Sequence, residues 1–300
     1  MIFLQILHTF RNLAIEVLPL FIIALVVSAV SAEYFPARTL DELLKNNSKR
    51  TILTSAFFGV LIPATPAYRV AMAAISRREG ARFTPLLAFI GAGSGVSALL
   101  ITLAVGWQVT LLRAVISFAF ALLLALAVTK FIEPKLAGKA MDVEVKELFS
   151  RDFTEVPASI LENDSDSVES KNVWYNFISL VRIMLPWLLL SLFLAALVHV
   201  IVPKAAFDVL LGGRFSPVKA ALVGIPFYFV GGMDVPLLFV LLQKGIGLGA
   251  VVSLMLAAPV VNAPVFLMVG RWVGLRAALL FILSCWLIAS VIGLGLGFVA

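Results

Sequence analysis

The chain has few charged residues, a single cysteine and two histidines. Charged side chains make up 13% of its 300 residues, whereas soluble chains contain about a quarter, and 62% of the residues are hydrophobic. A single core of this size cannot bury so much apolar surface. The composition therefore excludes a water-soluble enzyme and predicts an all-α polytopic membrane protein whose outer surface is solvated by lipid.

The scarcity of cysteine and histidine also limits the chemistry. Cys285 has no disulfide partner in the chain, and His8 and His199 lack ligand neighbours at zinc spacing. No HExxH, GxSxG or Gly-rich GKS/T motif is present, and no basic cluster alternates with aromatics as in nucleic-acid binders. We expect no metal, no cofactor, no catalytic residue and no nucleic-acid partner, so an ion gradient or a separate subunit must supply any energy.

Apolar runs long enough to approach the thickness of a bilayer are the main feature that is present. Four lie on each side of one polar stretch. We expect the first run to remain in the mature protein rather than to be removed as a signal peptide, because it contains Glu16 and Pro19. The eight runs are Leu13–Ala32, Ile52–Ile75, Phe83–Val105, Leu112–Ile132, Val173–Val202, Pro217–Leu242, Ile246–Val269 and Trp272–Ala300.

The polar stretch between the fourth and fifth runs differs from the rest of the chain. Within residues 134–172, Met141 to Lys171 hold nine of the seventeen acidic residues. Such a composition is typical of a flexible loop, with a regulatory role at Ser165, Ser167 or Ser170 as the alternative. The prediction is a first membrane repeat over 1–133, an acidic cytoplasmic loop over 134–172 and a second membrane repeat over 173–300.

The two halves share residues at nearly constant spacing, as transporter repeats do. Phe10, Pro19 and Pro36 match Phe177, Pro186 and Pro203 at one offset, and a slightly smaller offset relates Gly80 to Gly245 and Trp107 to Trp272. We infer an internal duplication of four segments.

The distribution of basic residues favours an inverted repeat, because Lys and Arg collect on the cytoplasmic side. If all eight segments cross, the twenty basic residues outside them divide eleven against nine. If the second segment of each half is re-entrant, the basic residues divide fifteen against five between the two sides of the membrane. If the third segment is re-entrant instead, they divide thirteen against seven. Either alternative leaves three crossings per half and places the protein in the inner membrane with its central loop cytoplasmic.

Proline and glycine interrupt the second and third segments of both halves. Unwound backbone at membrane depth is tolerated only inside protein or beside a water-filled cavity, and matching breaks in two halves indicate a transport site. Kinks that serve helix packing are the alternative. The candidate break residues are Pro63, Pro66, Gly231, Gly232, Pro236, Pro259 and Pro264.

Asp234 is the clearest candidate for function, since ionisable side chains within membrane segments are functional by default. It lies between a Gly-Gly break and Pro236, and its counterpart in the first half is Arg69. In an inverted repeat the two would meet as a structural lock, a substrate anchor or a proton-coupled switch. The polar or soft side chains expected around them, and so around the solute, are Thr65, Tyr68, Ser94, Ser97, Tyr228, Met233 and Asn262.

These residues resemble the bacterial predicted-permease family that includes the organoarsenical efflux permeases. The likeness rests on Gly59-Val-Leu-Ile-Pro63-Ala-Thr-Pro66, Gly224-Ile-Pro226, Asp234-Val-Pro236 and Ala257-Ala-Pro259-Val-Val-Asn262-Ala-Pro264. It implies two related halves, a long central loop and extrusion of small toxic or metal-linked solutes. Many relatives have cysteines after the first-half proline, whereas residues 64–68 contain none, so thiol capture and substrate are not carried over.

The expected function is therefore a gradient-driven permease that exports a small solute, anionic or metalloid, with a proton or cation as the coupling ion. A non-transporting membrane subunit that recruits a partner through residues 134–172 is the alternative. The sequence leaves the substrate, the oligomeric state and the direction of transport open.

Overall fold

In a computed structural model of the chain, all regular secondary structure in the described residues is helical. These residues are 2–34, 49–62, 73, 83–93, 95–131, 173–225, 232–261 and 263–299. The first half contains α1 (Ile2–Tyr34), α2 (Lys49–Leu61), α3 (Phe83–Gly91), α4 (Val96–Thr102) and α5 (Trp107–Phe131). The second half contains α6 (Val173–Ile201), α7 (Lys204–Leu211), α8 (Ser216–Gly224), α9 (Val235–Gln243), α10 (Leu248–Val260), α11 (Ala263–Val273) and α12 (Leu275–Val299).

Five stretches in this part of the chain are long and apolar enough to cross a membrane: Ile2–Ser31, Phe83–Thr102, Trp107–Phe131, Val173–Ile201 and Leu275–Phe298. A sixth candidate is the pair Leu248–Val260 and Val265–Arg271, which is bent by 54°. The prediction of an all-α multi-pass membrane protein is confirmed.

The described residues thus contain five or six candidate spans. Some of the eight predicted segments are divided into shorter helices. The run Pro217–Leu242 separates into α8 and α9, which have nine residues each. Nine residues rise about 14 Å, roughly half the hydrocarbon thickness. Residues 52–62 and 73 of the run Ile52–Ile75 are described, whereas the central loop 134–172 lies wholly outside the described residues.

The long first helices of the two halves, α1 and α6, pack against each other. Each contains an internal proline, Pro19 in α1 and Pro186 in α6. Their buried side chains fall at a constant offset of 167 residues: Val17, Phe21 and Leu25 in α1, and Met184, Leu188 and Leu192 in α6. One hydrophobic cluster contains all six, so corresponding faces of the two helices meet.

A three-helix packing unit occurs in each half. Helices α2, α3 and α5 contact one another, as do α8, α10 and α12. A close approach at one glycine recurs as well: Gly59 faces Phe89 and Ala92, and Gly224 faces Leu254 and Ala257. Each of these first-half residues lies 165 positions before its second-half counterpart; the pairs are Gly59 and Gly224, Phe89 and Leu254, and Ala92 and Ala257.

The third segment is interrupted in both halves, and the two interruptions touch. Between α3 and α4, Gly93 has a φ of +61°, a backbone conformation that other residues rarely adopt. A Cβ atom at Gly93 would lie 2.7 Å from the Val260 side chain and 3.5 Å from that of Pro259, at the end of α10. Because α5 also contacts α12, corresponding elements meet in three places, as a pseudo-two-fold axis would require. The inverted orientation of the halves stays a prediction.

Candidate functional site

A turn at residues 232–234 leads into α9 and forms the centre of the site. Gly232 has a φ of +100°, and a Cβ atom there would lie 2.9 Å from the Cα atom of Ala98 in α4. Only glycine satisfies both the backbone conformation and this close approach. The turn is therefore pressed against a helix of the first half, and Asp234 is placed as the residue that precedes α9.

Asp234 forms a buried ion pair with an arginine of the first half. Its Oδ2 atom lies 2.8 Å from Nη2 of Arg113, in α5, and both residues are 0% exposed. Taking two charges out of water is expensive, and their attraction offsets this only when they are close together. The pair thus couples α9 of the second half to α5 of the first.

Thr102 fixes the second nitrogen of the Arg113 guanidinium. Arg113 Nη1 donates a hydrogen bond of 3.0 Å to Thr102 Oγ1, and that hydroxyl donates one of 2.6 Å to the Ala98 carbonyl oxygen in the same helix. A hydroxyl group can donate and accept at once. The bond to Thr102 therefore anchors Arg113 to the last turn of α4, independently of the group that contacts its Nη2 atom.

Helix α6 holds the turn from a third side. The Ser191 hydroxyl donates a short hydrogen bond to the carbonyl oxygen of Met233, whose side chain is buried in the cluster that α1 and α6 share. Helices α4, α5 and α6 therefore all contact the three-residue turn that carries Asp234.

The Asp234 carboxylate is only partly satisfied. Its Oδ1 atom is buried and has no hydrogen-bond partner among the described residues, and Oδ2 has the ion-pair contact without an aligned hydrogen bond. The side chain makes no capping bond to the start of α9, where Pro236 is the second residue. Buried polar atoms are nearly always paired in proteins, so the vacant Oδ1 identifies a place for a hydrogen-bond donor.

Comparison with known proteins gives a family for this chain. Residues 2–298 match the family described as predicted permease, which is nearly the whole sequence. The chain belongs to this family. The match confirms the family resemblance found in the sequence, and it indicates a transporter rather than an enzyme.

One curated relative of the permease is the UPF0718 protein MJ0584 of Methanocaldococcus jannaschii. The two are 27% identical over 116 residues, which is 38% of this chain and 32% of that protein. The permease thus aligns with about a third of its relative's length, and the relative's name states no substrate. No solved structure matches the permease.

The structure describes three of the nine residues predicted to contact the solute. Met233 and Asp234 form the turn, and Ser97 is buried in α4 beside Ala98. The other six lie outside the described residues: Thr65, Tyr68, Arg69, Ser94, Tyr228 and Asn262. The described partner of Asp234 is Arg113, whereas the sequence had suggested Arg69 for this role.

The predicted helix breaks are distributed in the same way. Gly232 and Pro236 flank Asp234 at the start of α9. Pro259 lies in the last turn of α10, and Pro264 is the second residue of α11, on the two sides of the 54° bend. Pro63, Pro66 and Gly231 lie outside the described residues.

Sequence reasoning missed the three residues that hold the turn, namely Arg113, Thr102 and Ser191. Arg113 is the only charged residue from Leu112 to Thr129. A charge within a span needs an opposite charge nearby, and this rule could have paired it with Asp234. Nothing in the local sequence marks Thr102 or Ser191.

Among the described residues, no group of three His, Cys, Asp or Glu side chains is arranged to hold a metal ion. The chemistry available at the turn is that of one guanidinium, one carboxylate and two hydroxyl groups. These groups can bind an ion or a polar solute and can move a proton.

Proposed function

We propose that the permease is a gradient-driven secondary transporter that exports a small solute through a site between two inverted repeats. The observation that carries the proposal is the fully buried ion pair between Arg113 and Asp234, which joins the two halves at an interrupted helix. The protein would lie in the inner membrane with residues 134–172 in the cytoplasm.

The ion pair is better explained by transport than by stability. Replacing a buried ion pair with well-packed apolar residues of similar volume is often neutral or stabilising, so a folded bundle does not need these charges. An ionisable pair within membrane segments usually belongs to a substrate or ion pathway. Here the pair occurs beside Gly232, where the second half approaches α4 of the first.

Alternating access needs two bodies that can move about a fixed site. Each half has a three-helix unit, and Asp234 and Arg113 come from different halves. A relative movement of the halves would separate the two charges and open the site to one side of the membrane. The residues proposed to contact the solute are Thr65, Tyr68, Arg69, Ser94, Ser97, Arg113, Tyr228, Met233, Asp234 and Asn262.

The class of solute in this proposal rests on the family resemblance. Relatives that extrude toxic or metal-linked compounds suggest a small solute of that kind. The lack of a thiol in residues 64–68 means that recognition would depend on charge and hydrogen bonds rather than on soft-metal capture.

Transport by purified protein in proteoliposomes tests the proposal. With a proton gradient imposed, uptake would be measured for a panel of organoarsenicals, oxyanions, divalent metals and small amphipathic compounds. We expect at least one solute to be moved by the wild type, and Asp234→Asn to lower that rate to the background of empty vesicles. Because Asp234→Asn leaves Arg113 buried without its counter-charge, its transport rate is compared only after size-exclusion chromatography has shown a folded monodisperse species.

Asp208→Asn is the matched control, since Asp208 is an exposed residue of α7. It makes the same chemical change away from the turn and should leave uptake unchanged. Uptake at the wild-type rate by Asp234→Asn would rule out a transport role for the carboxylate.

A further inference from the structure

We infer that the transported solute is a small monovalent oxyanion that takes the place of the Asp234 carboxylate on Arg113 while Asp234 accepts one proton. This rests on the proposed transport function and adds the chemical class of the solute, the residue that binds it and the coupling ion.

Arg113 is the fixed member of the pair. It lies within α5, a helix of 25 residues, and its Nη1 atom is held by Thr102 at the end of α4. Its Nη2 atom is the one that contacts Asp234. A guanidinium presents several N–H donors in a rigid plane that suits carboxylates and other oxyanions. The anchored arginine is therefore a built anion site, which in this structure is filled by the protein's own carboxylate.

Asp234 is the replaceable member. Its carboxylate has one ion-pair contact, no capping bond to α9 and an unpartnered Oδ1 atom. It belongs to a turn before a helix of only nine residues. Rotation of the Asp234 side chain away from Arg113 would break only the ion-pair contact and would leave the turn held by Ser191 and packed on Ala98. Removal of Arg113 would also break its bond to Thr102.

Charge balance requires the proton and the anion to bind together. A buried guanidinium without a counter-charge is strongly unfavourable, as is a buried carboxylate without one. If an anion replaces the carboxylate on Arg113 and a proton from water binds Asp234 at Oδ1, the site remains neutral. One proton and one monovalent anion enter together and leave together, so no net charge crosses the membrane. Export then occurs while the outward gradient of the anion exceeds the inward gradient of protons.

The start of α9 favours the same exchange. The peptide dipoles of a helix attract negative charge to its first turn. At α9 this attraction comes from the dipoles, because the Val235 N–H group already donates to the Gly232 carbonyl oxygen and Pro236 has no N–H group. An anion on Arg113 would lie close to this end of α9, because Asp234 both contacts Arg113 and immediately precedes the helix. The helix thus contributes to anion binding after the carboxylate has moved away.

Other titratable groups on the surrounding helices lie far from Asp234. Helices α4 and α10 contain none, and Lys130 is at the opposite end of α5 from Arg113. In α6, Arg182 and His199 are about 12 Å or more along the helix from Ser191, the residue level with the turn. Lys244 follows the far end of α9. Among the described residues, Asp234 is therefore the group whose protonation can accompany anion binding.

The test is the pH dependence of anion binding to the full-length protein in detergent. Methanesulfonate, nitrate and formate would be titrated by thermal shift from about pH 6 to 8, against a background of gluconate at constant ionic strength. For the wild type, the dissociation constant of an anion that binds should rise about tenfold per pH unit, because one proton binds with it. Neutral dimethyl sulfone should not bind.

Asp234→Asn leaves Arg113 without its counter-charge and should change this pattern. We expect the variant to bind the anions with a dissociation constant that is independent of pH and at least tenfold lower than that of the wild type at pH 8. The paired apolar variant Arg113→Met/Asp234→Leu should bind none of them. Failure of all three anions to bind Asp234→Asn, or anion binding by the wild type without pH dependence, would overturn the inference. If Asp234→Asn does not fold, the inference is tested by the change of the wild-type dissociation constant with pH.

Failure of this inference and failure of the transport proposal give different results. If a neutral or cationic solute is transported in an Asp234-dependent manner, the transporter stands and the oxyanion assignment is wrong. If the anions bind with the expected pH slope and no solute crosses the membrane, the anion site stands and the transport proposal is wrong.

Discussion

The two halves of the permease share a helical framework but differ in the placement of charge. The unit α2, α3 and α5 has its counterpart in α8, α10 and α12, with matching glycine contacts at Gly59 and Gly224. The residue 165 positions after Arg113 is Ala278, which is buried and uncharged in α12. Likewise the counterpart of Asp234 is Arg69 in the sequence.

This difference shows which features belong to the framework and which belong to the site. The packing contacts recur because three helices approach one another closely in each half. The ion pair occurs once, with one charge from each half at positions that do not correspond. Similar helix packing in the two halves therefore surrounds an ion pair whose positions do not correspond between the halves.

The largest effect should come from removing one charge of the pair. Arg113→Met leaves Asp234 buried and unpaired, and we expect a loss of about 3–5 kcal/mol in stability. The same change at the corresponding position, Ala278→Met, only overfills a packed interface, which costs about 1–3 kcal/mol. Thermal unfolding in detergent compares the two. Equal losses would mean that the charge at Arg113 has no special importance.

A smaller effect should distinguish the two glycine contacts. A Cβ atom at Gly59 would lie 2.5 Å from the Phe89 carbonyl oxygen and 2.7 Å from Ala92 Cβ, whereas one at Gly224 would lie 3.2 Å from the Leu254 carbonyl oxygen. Gly59→Ala must displace backbone and should lower stability by about 1–3 kcal/mol.

Gly224→Ala should be nearly neutral, because the gain in helix propensity of about 1 kcal/mol offsets a mild contact. Thermal unfolding of Gly59→Ala and Gly224→Ala under the same conditions measures the difference in stability. A greater loss in Gly224→Ala than in Gly59→Ala would show that the first half is the more adaptable of the two.

The sequence was sufficient for the framework because its signals are local. Apolar runs predicted the helical class. The predicted break residues Gly232 and Pro236 lie at the start of α9, and Pro259 and Pro264 lie on the two sides of the bend between α10 and α11. The sequence predicted eight apolar segments with three crossings in each half, and five or six candidate spans occur among the described residues. Hydrophobicity alone does not distinguish one crossing helix from two short ones such as α8 and α9. The correspondence of Phe89 with Leu254 could not be found, because apolar residues match by chance.

The site was only partly predictable for a different reason. Asp234 was found because it is an acid in an apolar run, which is a property of its own neighbourhood. Its partner depended on which helix passes beside the turn, and that is decided by tertiary packing between α4, α5 and α9. Met233 is part of the turn and Ser97 is buried in α4, and the solute contacts of all nine predicted residues stay predictions.

The interrupted third segments offer a test of intermediate size. Gly93 has a φ of +61° and faces Val260, whereas the corresponding residue, Ala258, is within α10. Gly93→Ala should lower stability by about 1–2 kcal/mol from backbone conformation alone, as measured by thermal unfolding. An unchanged melting temperature would indicate that this break can adopt the conformation of its counterpart.

A smaller loss of stability is expected at a hydrogen bond that only the second half has. The Ser253 hydroxyl in α10 donates a bond of 3.0 Å to the Ala289 carbonyl oxygen in α12, and the corresponding residue of the first half is Ala88. Ser253→Ala makes the two halves alike here and should cost about 0.5–1.5 kcal/mol, read from the same unfolding curves. A loss above about 3 kcal/mol would show that the two units are not equivalent in packing.

The most direct test of the central claim is transport by the paired variant Arg113→Met/Asp234→Leu in proteoliposomes, with its thermal stability measured beside it. If the ion pair is the transport centre, the variant should be at least as stable as the wild type to within about 1 kcal/mol and should transport at the background rate. Transport at the wild-type rate by this folded variant would mean that the pair only locks the halves together, and would contradict the account.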